Sequence, residues 1–142
     1  MAIKVGGTTV IDDSRNITPV SSTVSNTLTV AKVTETAVAL GTVTSAATIN
    51  LFAGTVFTAT LGGNCTFTIT NPGAASSFTL ILTNDGTPGR TVAWAGGSFK
   101  FPGGAAALSR TTTAAGVDVW VFFSPDSGTT FHGNIAMKGQ AA

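Results

Sequence analysis

The chain is 142 residues long, 43% hydrophobic and 9% charged, with seven Lys and Arg against six Asp and Glu for a net charge of +1. That length suffices for one domain burying about two thirds of the surface its unfolded chain exposes, yet an ordinary soluble domain carries about 25% charged residues. The scattered basic residues exclude the clustered footprint of a nucleic-acid binder, the single cysteine excludes an intrachain disulfide, and no run approaches the ~18 apolar residues of a membrane span.

Residues 1 to about 44 read as an extended N-terminal arm. Ile3-Lys4-Val5 and Thr9-Val10-Ile11 flank Gly6-Gly7, a pair able to supply the positive φ angles of a tight turn. Met1 to Lys4 leads into those glycines rather than into the apolar run of a secretory leader, so the expectation is synthesis inside a cell and a reduced thiol. Asp12-Asp13-Ser14-Arg15-Asn16 and then Pro19 read as turn or loop. From Val20 to Thr44 small β-branched and hydroxyl residues alternate, the apolar phase slips between Val30 and Val33, and no aromatic residue occurs. Such an arm has too few bulky side chains for a core of its own and is expected to order by lying on a neighbour.

Residues 45–142 form the body, which holds every aromatic residue. Thr48 to Leu51, Thr55 to Leu61 and Cys65 to Thr70 alternate with the period of two of a strand wetted on one side. Cys65 reads as a small buried apolar group. Phe78, Leu80 and Leu82 alternate with Thr79, Ile81 and Thr83 in a strand apolar enough to be buried on both faces, and Asn84-Asp85-Gly86 is a hairpin signal. Thr91 to Trp94 and Phe99 to Phe101 end at glycine pairs, and Ala105 to Leu108 is the one candidate helical turn. Val117 to Ser124 is the most apolar run, closed by Ser124-Pro125-Asp126-Ser127-Gly128 onto Thr130 to Ile135. Seven or eight short strands between Gly, Pro and Asn turns predict an all-β fold, an antiparallel β-sandwich of jelly-roll type.

Chemistry is sparse. His132 is the sole histidine, and no serine sits in a Gly-x-Ser-x-Gly elbow, so no catalytic set is expected. One His and one Cys cannot supply a zinc site. Asp12-Asp13 lacks the spacing of a calcium loop and reads instead as a turn in which one or other carboxylate pairs with Arg15. No glycine stretch has phosphate-loop spacing, so no cofactor is expected. Trp94, Trp120 and Phe131 could form a sugar-stacking shelf, against the simpler reading of core and interface packing. Neutral hydroxyl surface costs little to desolvate against its like, whereas a buried charge must be paired. An assembly component therefore fits this composition better than a free catalyst.

The opening segment from Ile3 to Asn16 resembles the N-terminal segment of bacteriophage virion proteins often described as tail fibres. The body resembles a small Thr- and Gly-rich β-domain of phage, especially cyanophage, structural proteins, through Asn50-Leu51 to Phe57, Phe67 to Pro72, Ser77 to Leu80, Arg90 to Trp94, Gly116 to Val119 and Asp126 to Gly133. Fibre proteins of that kind usually continue into a shaft, whereas here the arm passes directly into one body. An arm joined to one small body is similar to head decoration, or cement, proteins. The resemblance implies a homotrimer on the outer capsid surface of the virion, partnered by the major capsid protein, with neither nucleic acid nor membrane as partner. The residues expected to carry assembly are Ile3, Val5, Val10 and Ile11 as apolar anchors, with Asp12, Asp13 and Arg15 fixing the turn. The alternative is a tail-fibre or receptor-binding knob that contacts host glycan.

Overall fold

Alternation with period two and an abundance of Thr favour the extended chain, because a branched Cβ fits the pleated surface better than a helix. A computed structural model describes residues 3–5, 8–11, 32–104 and 109–141, and among them every regular element is a strand. In chain order these are β1 (Ile3–Val5), β2 (Thr8–Ile11), β3 (Ala37–Val43), β4 (Ala46–Asn50), β5 (Val56–Leu61), β6 (Cys65–Thr70), β7 (Ser76–Asn84), β8 (Val92–Ala95), β9 (Ser98–Lys100), β10 (Val117–Ser124) and β11 (Thr130–Gln140). The fold is all-β. Ala105 to Leu108, the expected helical turn, lies outside the described residues.

Two compact units divide the chain, Met1–Val33 and Thr34–Ala142. In the first, β1 and β2 pair antiparallel with Lys4 opposite Thr9 and Val5 opposite Thr8, and a register shift follows Ile3, which lies opposite Ile11.

In the second unit the strands alternate between two sheets. A six-stranded sheet runs in the order β3-β5-β7-β10-β11-β9, and a three-stranded sheet in the order β4-β6-β8. Within them β3 with β5, β5 with β7, β4 with β6, β6 with β8, and β9 with β11 are all parallel. A parallel pair requires a crossover connection. Here each strand of one sheet serves as the crossover of the other, so β3 to β8 wind like successive rungs of a two-sided coil. Short bends make the crossings, among them Asn71 at φ 53° and Gly96 at φ 96° between β8 and β9. At Gly96 a Cβ would also run into the Ile69 carbonyl oxygen, so only glycine fits that corner.

The coil is then interrupted. β10 pairs antiparallel with β7, and β11 antiparallel with β10, so this hairpin separates β9 from the rungs below it. The expected antiparallel arrangement is therefore corrected to mixed sheets. Asn84-Asp85-Gly86 does not close a hairpin either, since β7 continues into β8 of the other sheet. Period-two alternation is the same in parallel and antiparallel pairing, and a turn signal marks where a chain bends without saying which strand it meets. β3, which falls in the stretch read as arm, is an edge strand of the six-stranded sheet, with Val43 buried opposite Leu61.

Both sheets contribute to one core. Phe57, Leu61, Leu80 and Phe131 come from the six-stranded sheet, and Ile49, Cys65, Phe67 and Ile69 from the three-stranded one, all buried. Trp94 of β8 links the two, stacking on Phe67 at 5.5 Å and Phe99 at 5.7 Å and lying 4.6 Å from the Phe122 ring. Burial pushes the Cys65 thiol above its ordinary pKa, which keeps it protonated and matches its expected role as a small apolar group.

Candidate functional site

Of the residues expected to carry assembly, Ile3, Val5, Val10 and Ile11 fall on the β1–β2 pair. Asp12, Asp13 and Arg15 lie outside the described residues. Strands of three and four residues form a ribbon too small to be independently stable in water, where about three strands or a packing partner are needed.

An exposed apolar feature lies on the outer face of the six-stranded sheet. Along β10, Asp118, Trp120, Phe122 and Ser124 point into the body and are buried. The intervening Val119, Val121 and Phe123 point outward, with Val121 38% and Phe123 48% exposed. In register across the sheet, Val56, Thr79, Val121 and Asn134 form one row, and Thr58, Ile81, Val119 and Met137 the next. Met137 is 54% exposed. No Asp, Glu, Lys, Arg or His occurs between Thr36 and Asn84, so β3, β5 and β7 bring no charge to this face. On the β11–β9 side, Lys100 and His132 line a shallow groove of about 480 Å3 with Val121 and Phe123.

Sequence reasoning missed these residues. The available signal was the Val117–Ser124 run, apolar on both alternating faces. Such a strand lies either between two layers or with one apolar face open, and alternation alone does not choose between them.

Several charged residues of the body act as fastenings. Asp118, wholly buried, accepts hydrogen bonds from the backbone N–H of Thr111 at 2.7 Å and of Gly139 at 3.0 Å. Asn84 donates to the carbonyls of Thr111 and Gly116. Arg110 donates to Asn84 Oδ1 and to the Thr111 and Arg90 carbonyls. Burial lowers the Arg110 pKa, and the Asp118 carboxylate opposes that shift. Arg90 in turn pairs with Asp85 at 2.8 Å. A cavity of about 260 Å3 is lined by both guanidiniums with Trp94, Phe101 and Trp120. Those guanidiniums are already engaged by the fold, so the cluster reads as a strut joining the loops before β8 and β10.

Phe131 and Trp120 take the core-packing reading rather than the alternative of a sugar shelf. Phe131 is wholly buried and Trp120 is 3% exposed, because both belong to the aromatic core. His132 is exposed on β11, in register with Lys100 of β9 and Phe123 of β10. Among the described residues, no three His, Cys, Asp or Glu side chains gather as a metal site would require. No helix among them is long and apolar enough to cross a membrane. Comparison of the chain with protein-family models, with curated proteins and with solved structures finds no match.

Proposed function

We propose that this chain is a structural protein of a phage virion, a decoration or cement protein that associates with its own copies and fastens capsid subunits through its N-terminal segment. We read the two sheets about one core as a sandwich-like body wound from rungs. The observation that carries the functional reading is the uncharged span from Thr36 to Asn84, which supplies five strands of the body. A face with no ions to strip of water is suited to lasting contact with other protein. The small β1–β2 ribbon supports the same reading, since strand pairing and apolar burial against a neighbour would supply the stability it lacks. Many weak contacts on one shell then act together through multivalency. The resemblance of Ile3 to Asn16 to virion proteins points the same way.

The test is occupancy on purified phage heads. Deleting residues 2–16 is expected to leave a folded body that no longer binds; unchanged occupancy overturns the proposal.

A further inference from the structure

We infer that the outer face of the six-stranded sheet is a self-association surface, on which a second copy of this chain packs its own outer face. The inference rests on the assembly reading above and names the partner of that face.

Three observations select a second copy over an unrelated partner. First, Val121, Phe123 and Met137, all well exposed, share this one face. Second, its polar side chains along β5 and β7 are Thr58, Thr60, Ser77, Thr79 and Thr83, flanked by apolar Val56 and Ile81. A hydroxyl both donates and accepts a hydrogen bond. The β5–β7 part of the face, whose polar groups are hydroxyls, is thus complementary to a copy of itself, whereas carboxylates or ammoniums there would repel their own image. Third, the area is adequate. Six strands about 4.8 Å apart and about six residues long span roughly 600 Å2 of flat face, close to the about 800 Å2 per partner of a standard interface.

The geometry also fixes the symmetry. One patch meeting itself is isologous, so the product is a two-fold pair and not the three-fold ring that the resemblance implies. Lys100, on the edge strand β9, and His132, beside it on β11, lie to one side of the face, away from β5 and β7.

Sedimentation equilibrium of the full chain tests this. The unmodified protein is expected to weigh as a pair, and V121E with F123E to weaken pairing by at least about tenfold, because four carboxylates would then have to be taken out of water. F52S, a change at the exposed turn after β4, is expected to leave the mass unchanged. Should the double glutamate variant lose its cooperative melt, F123S with M137S replaces it, with the same loss of pairing expected. A monomeric unmodified chain overturns the inference, as does a trimer or pair whose mass these substitutions do not alter. Unchanged mass in the variants sinks this surface alone; retained head occupancy after arm deletion sinks the assembly reading instead.

Discussion

Between Thr36 and Asn84 the chain builds β3 to β7 without one charged residue, whereas the β10–β11 hairpin is tied at both ends by carboxylates. The difference follows from how each part is made. In the wound part every rung repeats the one below it. Val38, Phe57 and Leu80 fall in register on the inner face, so apolar rows support one another without charged acceptors. The hairpin departs from that winding and cannot borrow a repeat. Its ends are fixed by Asp118, which holds the 109–116 loop and the end of β11, and by Asp126, which accepts from the Thr130 N–H at 2.8 Å in the tight turn. One region is therefore vulnerable to loss of volume, the other to loss of acceptors.

The largest effect should come from breaking the stacked rows. Phe57 is wholly buried and meets Phe78 edge-on at 6.2 Å. Phe57→Ala is expected to cost about 3–5 kcal/mol in denaturant unfolding, the range for deleting a core aromatic. A loss under about 1 kcal/mol would show that the rungs do not depend on their inner rows. Asp118→Ala should come next, at about 3 kcal/mol, since two backbone N–H groups lose their acceptor. Hydrogen exchange should then show faster exchange at Thr111 and Gly139, with the amides of β5 and β6 unaffected. Uniform acceleration across both regions would mean that they unfold as one unit and that the contrast is only chemical.

Gly133→Ala should be milder, at about 2 kcal/mol of overpacking. Gly133 lies in β11 facing inward, where a Cβ would come within 2.5 Å of the Phe122 ring and 2.7 Å of the Phe101 ring. The strand is extended there, so the cost measures how far two aromatic rings can yield. No change in melting temperature would indicate that the hairpin side of the core is loosely packed.

Legibility from sequence divides along the same line. The alternation of Phe67 and Ile69 with Thr66 and Thr68 gave the face of β6 correctly, and Cys65 is buried as expected. The turn from Ser124 to Gly128 was readable as a hairpin because a two-strand reversal is a local event. The winding was not readable, because its register is long-range and its turns differ in length. Ala46 lies opposite Thr66, whereas Cys65 lies opposite Val92, so unequal spacing conceals the repeat. At Asn84-Asp85-Gly86 the residues have tertiary tasks. Asn84 is buried and holds two carbonyls, and Asp85 accepts from the Thr87 N–H and pairs with Arg90. The partners of Asn84 are remote in sequence from any hairpin pattern. The outer-face residues Val121 and Phe123 escaped notice for the reason that both faces of β10 are apolar.

The smallest effect, and the one that separates the regions by chemistry rather than by size, is acid sensitivity. The Thr130 N–H holds Asp126 below the ordinary carboxylate pKa, and the Arg90 side chain does the same for Asp85. A carboxylate depressed in the folded state adds stability that is complete above its unfolded value, about 3.9, and that disappears as pH falls through the lower folded value. The melting temperature should therefore hold from neutral pH down to about 4 and decline below it. Both groups are solvent-exposed, so the decline should be modest. Asp126→Asn keeps an oxygen for the Thr130 N–H but has no charge to lose. It is expected to melt slightly lower than the parent at neutral pH and to converge with it in acid. β3 to β7 contain no titratable group except the buried Cys65 thiol, which stays protonated throughout this range. Acid-induced exchange should therefore begin at Thr130 and its turn and at the Asp85–Arg90 loop between β7 and β8, while β5 and β6 remain protected; onset in β5 or β6 would reverse the comparison.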